Sequence, residues 1–244
     1  MKINDNTILI TGGATGIGFA LAEAFVKEGN EVIICGRREN KLEEAKSKLP
    51  QIHTRVCDLT KDKEREALYN WVKTDFKDIN VLVNNAGIQR MVDFKKGISS
   101  LTEGENEIDI NLTAPIHLSA YFIPLLLKQK ESAIINVSSG LGFIPMAIMP
   151  VYCATKAAMH SFSLSIRHQL RDTSIKVFEV IPPMVDTELD KGARDERGQV
   201  DKGIPPAEVA KATLKGLEKN EYEIAIGMAQ NLRMGARTNP EQVC

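Results

Sequence analysis

The sequence alternates short, strongly apolar runs with longer stretches in which apolar residues recur at helical spacing. Short runs that are apolar throughout are typical of strands buried on both faces of a sheet. Strands that are joined by helices pair in parallel through right-handed crossovers. The alternation therefore predicts an α/β fold, in which a doubly wound sheet of seven mainly parallel strands carries helices on both faces.

Seven apolar runs are predicted to form the strands, at residues 7–11, 31–35, 53–57, 80–83, 133–137, 176–181 and 222–226. Helices are predicted between them, at about residues 16–28, 38–48, 61–77, 101–128, 151–171 and 206–219. No repeat, low-complexity tract or linker divides the 244 residues, so we predict one domain over residues 1–244. The segment at about 188–205 is predicted to form a lid over the substrate.

Charge and composition argue against several classes of partner. The formal net charge is −1 at pH 7, which provides no general attraction to nucleic acid or to an anionic membrane. The longest apolar-rich stretch, 116–127, is shorter than the roughly 20 residues that span a bilayer, and the amino terminus lacks a signal-peptide pattern. The four cysteines and four histidines lack metal-site spacing. We therefore expect no metal, reduced thiols and a cytoplasmic location.

A glycine-rich turn, Thr11 to Gly18, joins the first predicted strand to the first predicted helix. Glycine permits the backbone angles of a tight turn and lets N–H groups approach a phosphate, while a helix amino terminus adds partial positive charge. The turn therefore predicts a Rossmann-type dinucleotide site at the carboxyl ends of the strands. An ordinary glycine turn is the alternative. The residues predicted to bind the cofactor here are Gly12, Thr15, Gly16, Ile17 and Gly18.

The end of the second predicted strand indicates which dinucleotide is preferred. An acidic residue at this place would bind a ribose 2′-hydroxyl, as in NAD sites. The sequence has Arg37 and Arg38 instead, and a guanidinium can pair with a 2′-phosphate through two hydrogen bonds. We therefore predict NADP. The alternative is that the two arginines only begin a solvated helix, which would leave NAD or dual use open.

Tyr152 precedes Lys156 by four residues, so the two side chains can share one face of a helix. A tyrosine hydroxyl normally has a pKa of about 10. An ammonium group beside it favours the phenolate and lowers that pKa towards the working pH, which makes the tyrosine a proton donor for a carbonyl. The same spacing also arises by chance, with a packed tyrosine and a surface lysine.

Further motifs complete a pattern that resembles the short-chain dehydrogenases/reductases over nearly the whole chain. Residues 11–18 resemble the family's cofactor turn, Asp58 resembles its adenine-contacting acid, and residues 84–87 resemble the end of its fourth strand. Ser138 is predicted to make local hydrogen bonds at the strand end. Residues 150–156 and 167–172 are similar, more narrowly, to the DltE-like oxidoreductases. The positions that match the family's catalytic tetrad are Asn111, Ser139, Tyr152 and Lys156, and further cofactor contacts match at Asn85, Ala86 and Gly87.

The resemblance implies an alcohol dehydrogenase or carbonyl reductase that transfers a hydride between NADP and a carbonyl or secondary alcohol. Tyr152 would be the general acid or base, and Ser139 would donate a hydrogen bond to the negative charge that grows on the oxygen. Lys156 would hold the nicotinamide ribose, and Asn111 would anchor a water that relays protons. A nucleotide-binding regulatory or scaffolding protein without turnover is the alternative, but it has no need of a complete tetrad.

One segment departs from the family pattern. After the sixth strand the family has Pro-Gly and then a threonine that contacts the nicotinamide amide, whereas this chain has Pro182 and Pro183 before Thr187. Proline fixes φ near −65° and lacks an N–H, so a contact that needs glycine cannot be carried over to Pro183. Pro182 and Thr187 keep their spacing and are predicted to contact the cofactor.

Two segments are predicted to wall the substrate pocket, because both leave strand ends beside the tetrad. The apolar segment 141–149 favours a ketone or aldehyde with apolar substituents, and the charged segment 188–202 would cover it. Core packing and a solvated loop are the respective alternatives. Arg90 and Met91 are further candidates for this pocket.

A homodimer or homotetramer is predicted from the two longest helices. The family pairs these helices between subunits, and the ranges 101–128 and 151–171 carry apolar residues beyond one face. A fully buried monomeric core is the alternative. The apolar residues concerned are Ile108, Ile110, Phe122, Phe162, Leu164 and Ile166.

Overall fold

A computed structural model describes residues 1–190, 198 and 203–238 of the chain. These residues form a seven-stranded sheet in the order β3-β2-β1-β4-β5-β6-β7, and every strand pairing within it is parallel. The prediction of a doubly wound α/β fold is confirmed. The strands are β1 (Thr7–Thr11), β2 (Glu31–Gly36), β3 (His53–Val56), β4 (Ile79–Asn84), β5 (Ser132–Val137), β6 (Ile175–Ile181) and β7 (Glu223–Ala225).

The α-helices of the described part are α1 (Gly16–Lys27), α2 (Glu39–Lys48), α3 (Asp62–Asp75), α4 (Ser99–Thr102), α5 (Ala114–Leu126), α6 (Pro150–Gln169), α7 (Pro206–Glu218) and α8 (Met228–Thr238). A π-helical turn, Asp109–Thr113, leads directly into α5. The short 3₁₀ turns are Phe94–Lys96, Gly140–Gly142 and Glu188–Asp190.

Both faces of the sheet are buried because helices cover each of them. Successive strand residues point to opposite faces, so each strand contributes side chains to both. In β1, Ile8 and Ile10 pack with residues of α1, α2 and α7, whereas Leu9 packs with residues of α3, α5 and α6 on the other face. This is why the strands are apolar at nearly every position rather than at alternate ones. The core therefore has two layers, one on each side of the sheet.

The helix predicted at 101–128 is wrong in its first third. Helix α4 ends at Thr102, and the chain is irregular before the π-helical turn. Gly104 has φ of +89°, which is outside the helical region, and the side chain of Asn106 accepts a hydrogen bond from the Ile108 N–H at 2.9 Å. An asparagine that caps a helix in this way begins it. Helix α8 lies outside all of the predicted helices.

The order of the strands creates a crevice at the carboxyl edge of the sheet. Strands β1 and β4 are neighbours, and the chain continues from them towards opposite sides of the sheet. In open parallel sheets, ligands bind where the strand order reverses in this manner. The turn after β1 and the ends of β4, β5 and β6 therefore meet at one edge.

The predicted lid starts and ends beside strand β6. The Asp186 N–H donates to the carbonyl of Ile204 at 2.9 Å, and the Ile204 N–H donates to the carbonyl of Met184 at 3.1 Å. Residues 191–197 and 199–202 of the predicted lid lie outside the described residues. These two hydrogen bonds hold the residues at the start and at the end of the predicted lid close to each other.

Candidate active site

The glycine turn after β1 combines unusual backbone angles with close contacts to neighbouring backbone. Gly12 and Gly16 have φ of +63° and +55°, which side chains rarely allow. A Cβ on Gly18 would lie 2.3 Å from the Gly12 carbonyl oxygen. Glycine is therefore required at these positions by backbone geometry and by close approach. Thr15 and Ile17 lie in the same turn, at the start of α1.

Thr11 joins this turn to the end of β4. Its hydroxyl donates to the carbonyl of Val83 at 3.2 Å and accepts from the N–H groups of Asn85 and Ala86, each at 3.0 Å. The Asn85 amide in turn donates to the carbonyls of Thr11 at 2.9 Å and Gly12 at 3.2 Å. The predicted residues of β4 and of the glycine turn are thus held together by hydrogen bonds to backbone.

Asn111 lies in the π-helical turn and connects two segments. Its amide accepts from the Ile88 N–H at 2.8 Å, donates to the Ile88 carbonyl at 2.9 Å, and donates to the Thr155 hydroxyl at 3.1 Å. A Cβ on Gly87 would lie 3.3 Å from Asn111 Oδ1 and 3.6 Å from Lys156 Nζ. Gly87, Asn111 and Lys156 therefore lie together, as the sequence predicted for the site.

Lys156 is buried in α6 although its ammonium group is charged. The side chain is 5% exposed, and Nζ donates to the Val137 carbonyl at 2.9 Å. The same nitrogen lies 5.6 Å from the centre of the Tyr152 ring. Burial lowers the pKa of Lys156 to about 8, and the negative charge of Glu179 opposes part of this shift. The predicted pairing of Tyr152 with Lys156 on one helix face is confirmed as geometry.

Ser139 follows β5 and begins the 3₁₀ turn Gly140–Gly142. Its hydroxyl accepts from the Leu141 N–H at 3.1 Å. A Cβ on Gly142 would lie 2.9 Å from the backbone carbonyl of Lys156, so this turn packs directly on α6. Leu141 packs in a small apolar cluster with Met149, Tyr152 and Cys153. The turn that contains Ser139 is thereby fixed against the helix that carries the tyrosine and lysine.

The residues after β6 reach the same edge. The Gly140 N–H donates to the Pro182 carbonyl at 3.1 Å. A Cβ on Gly16 would lie 3.0 Å from Cγ2 of Thr187, so Thr187 lies over the glycine turn. A cavity of about 410 Å³ lies beside this contact, between the start of α1 and the residues that follow β6. Its lining includes Thr15, Gly16, Thr187 and Glu188.

Arg37, Arg38 and Asp58 lie apart from the tetrad, after the ends of β2 and β3. Arg37 donates to Glu105 Oε2 at 2.8 Å, and Arg38 donates to Glu188 Oε2 at 2.9 Å and to the Thr15 hydroxyl at 3.3 Å. Both guanidinium groups are about half exposed.

Asp58 makes local contacts. Its Oδ1 accepts from the Thr60 N–H at 3.1 Å and from the Thr60 hydroxyl at 2.8 Å. Partial burial alone would raise the pKa of Asp58, but hydrogen bonds from Thr60 and Lys61 outweigh burial and lower it. The carboxylate form is therefore favoured at the end of β3.

The apolar wall predicted from residues 141–149 is only partly formed. Ile144 and Met149 are buried, whereas Met146 and Ile148 are 44% and 41% exposed. Phe143 contacts the ring of His160 at 4.6 Å between centres. Phe143 therefore packs on α6, as the alternative of core packing foresaw.

Arg90 has a structural role in place of the predicted pocket contact. Its guanidinium donates to backbone carbonyls of α4 and of the irregular segment that follows α4. These carbonyls belong to Ser100, Leu101, Glu103 and Glu105. Met91, the other candidate, is 42% exposed.

Three residues at the site were missed by the sequence analysis. Thr155 accepts from Asn111 and donates to the Tyr152 carbonyl at 2.7 Å. Gly142 permits the contact with α6, and Glu179 is fully buried beside Ser138. Only Glu179 left a signal in the sequence, because a glutamate within an apolar central strand is unusual.

The described part of the chain contains neither a cluster of metal ligands nor a membrane-spanning helix. There, no cluster of three or more His, Cys, Asp or Glu side chains is arranged to hold a metal ion. Among the same residues, none of the helices has both the length and the apolar character needed to cross a membrane.

The fold and the arrangement of these residues are those of a short-chain dehydrogenase, and the family profile described as short chain dehydrogenase matches residues 6–198. The chain belongs to this family of oxidoreductases. It is 52% identical over 243 residues to the oxidoreductase DltE of Bacillus subtilis, covering 100% of this chain and 96% of that protein. It is 30% identical over 236 residues to an oxidoreductase of Staphylococcus saprophyticus, covering 91% and 95%. The resemblance to the DltE type is confirmed.

Solved structures share the fold. A short-chain dehydrogenase from Burkholderia cenocepacia in complex with NADP has a TM-score of 0.82 at 26% identity, covering 99% of this chain and 97% of that one. A serine dehydrogenase complexed with NADP⁺ has a TM-score of 0.76 at 28% identity, covering 85% and 87%. A short-chain dehydrogenase/reductase from Burkholderia phymatum in complex with NAD has a TM-score of 0.87 at 19% identity, covering 100% and 97%.

Proposed function

We propose that this protein is an NADP-dependent alcohol dehydrogenase or carbonyl reductase in which Tyr152 is the general acid and base. The observation that carries the proposal is the buried ammonium of Lys156, 5.6 Å from the centre of the Tyr152 ring. A buried charge is costly and is retained mainly where it has a role. Beside a phenol, this charge favours the phenolate and prepares the hydroxyl for proton transfer.

The proposed dinucleotide site rests on the glycine turn, whose backbone approaches neighbouring backbone too closely to admit side chains. A Cβ on Gly12 would lie 2.9 Å from Cα of Ala86, and a Cβ on Gly18 would meet the Gly12 carbonyl. Backbone N–H groups at the start of α1 suit a pyrophosphate. When bound, the nicotinamide donates or accepts the hydride. The residues proposed to hold the cofactor are Gly12, Thr15, Gly16, Ile17, Gly18, Arg37, Arg38, Asp58, Asn85, Ala86, Gly87, Tyr152, Lys156, Pro182 and Thr187.

In carbonyl reduction, negative charge develops on the substrate oxygen. Tyr152 gives its proton to that oxygen, and Ser139 donates a hydrogen bond to it, so both stabilise the transition state more than the ground state. In alcohol oxidation Tyr152 takes the proton back. The buried position of both residues, 5% and 7% exposed, supports these roles because polar interactions strengthen away from water.

Lys156 and Asn111 are proposed to assist the proton transfer by Tyr152. Lys156 would hold the nicotinamide ribose, and its ammonium charge would favour the phenolate form of Tyr152. Asn111 holds the turn that carries Ile88 and the helix that carries Thr155, which supports its proposed role as the anchor of a proton-relaying water. Each of these groups is fixed by backbone or buried partners.

The preference for NADP rests on Arg37 and Arg38. Both lie after β2, are partly exposed, and present guanidinium groups that suit a 2′-phosphate. Two relatives of known structure at 26% and 28% identity bind NADP, which supports the same choice. The carboxylates of Glu105 and Glu188 would have to release the arginines when the phosphate binds.

A small carbonyl or alcohol is the proposed substrate, with apolar groups near Met146 and Ile148. We further propose a homodimer or homotetramer in the cytoplasm, with a single catalytic domain and the lid segment 188–205. Only two of the apolar residues named for association are at the surface, since Ile108 and Leu164 are 48% and 40% exposed. The buried residues of that set are Ile110, Phe122 and Ile166.

Tyr152→Phe tests the proposed reaction. The wild-type protein is screened for NADPH and NADH oxidation with carbonyl compounds graded by size and polarity, and the variant is measured on the best substrate. We expect kcat to fall by about 10² to 10⁴, because only the proton donor is removed. NADPH affinity, measured by fluorescence titration, should change little.

Tyr69→Phe is the matched control, because Tyr69 lies in α3 and stacks on Tyr121 away from the site. Near-normal turnover by Tyr152→Phe would contradict the proposed mechanism. NADPH binding by the wild-type protein without turnover on any carbonyl would instead favour a regulatory or scaffolding protein of the same fold.

A further inference from the structure

Glu179 is a buried acid in the middle of the sheet. It lies in β6 among apolar neighbours, and its residue exposure is 0%. Burying a carboxylate is unfavourable unless hydrogen bonds or opposite charges compensate. A glutamate in this position therefore needs a structural or chemical reason.

The carboxylate of Glu179 connects the two segments that carry the proposed catalytic groups. Oε1 accepts from the Ser138 hydroxyl at 2.5 Å, and Ser138 directly precedes Ser139. Oε2 lies 2.7 Å from Nδ1 of His160, which is one helical turn after Lys156 in α6. The acid thus bridges the end of β5 and the helix of Tyr152.

The contact with His160 belongs to a row of polar contacts between α6 and the sheet. Side chains at intervals of four, three and four residues share one face of a helix. On this face, Lys156 contacts the Val137 carbonyl, His160 contacts Glu179, Ser163 contacts Asn136, and Arg167 contacts the Val177 carbonyl. Hydrogen bonds are more directional than apolar contacts, so this row fixes the position of α6 along the strands.

We propose that Glu179 is a positioning residue for the reaction, which holds Ser139 and the helix of Tyr152 and Lys156 in their working arrangement through Ser138 and His160. The inference rests on the proposed function, since it concerns the same tetrad. Glu179 is a positioning residue and not a catalytic residue, because it acts through Ser138 and His160.

The charge of Glu179 also acts on Lys156. The titratable groups that face Glu179 are Lys156 and His160 from α6 and Glu223, its register partner on β7. Glu223 is paired with Arg167 of α6 at 3.6 Å and with Arg233 of α8 at 2.6 Å. Glu179 supports the ammonium form of Lys156 against burial, so removing its charge lowers the pKa of Lys156 below about 8.

Glu179→Gln is the first test, because glutamine keeps the size and most of the hydrogen bonding but removes the charge. Because the variant lowers the pKa of Lys156, we expect the alkaline limb of the profile of kcat against pH for carbonyl reduction to move to lower pH. The expected shift is about one pH unit, which is the size expected from one unit charge several ångströms away. Misplaced catalytic groups should lower kcat by about ten- to a hundredfold. The Kd for NADPH should change by less than about threefold, because the glycine turn is not touched.

Ser138→Ala and Ser138→Thr form a second, milder pair. Alanine removes the hydroxyl that holds Glu179, and threonine restores it at the same place. We expect kcat to fall by about tenfold in the alanine variant and to recover in the threonine variant, with the KM for NADPH nearly constant in both. This pair also provides the test if Glu179→Gln does not fold.

Glu223→Gln is the control for a purely structural effect, because it removes the charge of the neighbouring acid and so weakens its contacts with Arg167 and Arg233. We expect a lower Tm and an unchanged alkaline limb. The inference is overturned if Glu179→Gln keeps the wild-type limb, or if both Glu179→Gln and Ser138→Ala keep the wild-type kcat, while Tyr152→Phe is inactive. Full turnover by Tyr152→Phe would instead overturn the proposed function.

Discussion

The candidate cofactor site has two ends, one at the tetrad and one near β2, and their side chains are held in different ways. At the tetrad end, Asn111, Tyr152 and Lys156 are at most 5% exposed. Asn111 and Lys156 there make hydrogen bonds to backbone carbonyls. At the end near β2, Arg37 and Arg38 are 47% and 49% exposed and pair with acidic side chains from other segments. One end is fixed by the fold, and the other is held by contacts that a ligand can replace.

The difference follows from the strength of the two kinds of contact. Buried hydrogen bonds are costly to lose, because the group left behind has no water to replace its partner. Exposed ion pairs contribute little to stability, since water and salt screen them. The proposed chemistry would therefore depend on rigid geometry, whereas the proposed preference for NADP would depend on exposed charges that substitutions can change at little cost to the fold.

Gly18→Ala should give the largest effect on cofactor binding, at the glycine turn. The added Cβ would lie 2.3 Å from the Gly12 carbonyl oxygen, so the backbone of the turn must move. We expect a loss of about 1–3 kcal/mol in stability and at least a tenfold weaker binding of NADPH, measured by denaturation and fluorescence titration. Gly36→Ala is the control, since a Cβ there meets no atom within 4 Å. Wild-type affinity in Gly18→Ala would show that the turn does not bind the cofactor.

Lys156→Met should abolish turnover and yet stabilise the protein near neutral pH. Below about pH 8 the folded protein carries the full cost of burying the ammonium. Between about 8 and 10.5 the folded protein loses this proton before the unfolded chain does, so wild-type stability rises with pH in that window. We expect Lys156→Met to gain roughly 1–3 kcal/mol at pH 7, with the gain shrinking towards pH 10.

Thermal denaturation of both proteins between pH 6 and pH 10 would measure this trend. Lys27→Met is the control, because the Lys27 side chain is 68% exposed and has no burial cost to remove. A gain that stayed constant over the whole pH range would contradict the assignment of a depressed pKa to Lys156.

Glu105→Gln should give the smallest effect on cofactor binding, at the end of the site near β2. The change removes the carboxylate that pairs with Arg37 and that would compete with a 2′-phosphate in the proposed NADP site. Exposed pairs of this kind are worth about 0.2–1 kcal/mol, so we expect NADPH to bind about 1.5- to 5-fold more tightly. NADH, which lacks the phosphate, is the internal control and should bind as before.

Arg37→Asp tests the same site by the opposite change in charge, with the same measurement of NADPH and NADH binding. It should reduce the preference for NADPH over NADH, because an acid repels the phosphate and can accept a hydrogen bond from a ribose hydroxyl. If the ratio of the two affinities does not change, the assignment of NADP to this site is wrong.

Most of the sheet could be predicted from the sequence. Strand β1 has the predicted bounds, and β6 differs by one residue at its start. Continuous apolar runs between helices leave few arrangements other than a parallel sheet. The prediction of a helix at 101–128 is wrong in its first third because the apolar spacing in the sequence continues across Gly104. In the structure, the backbone angle of Gly104 interrupts the helix, and the cap by Asn106 begins a new one.

The sequence by itself determined the order of the elements, the glycine turn and the spacing of Tyr152 and Lys156, because each depends on residues close together in the chain. The tertiary structure decided which side chains carry the site: Asn111 reaches Thr155 over 44 residues, and Ser138 reaches Glu179 over 41. It also decided that Arg90 serves a loop and that Ile110, Phe122 and Ile166 serve the core. Burial and long-range hydrogen bonds depend on how the layers pack, and local spacing contains no record of that packing.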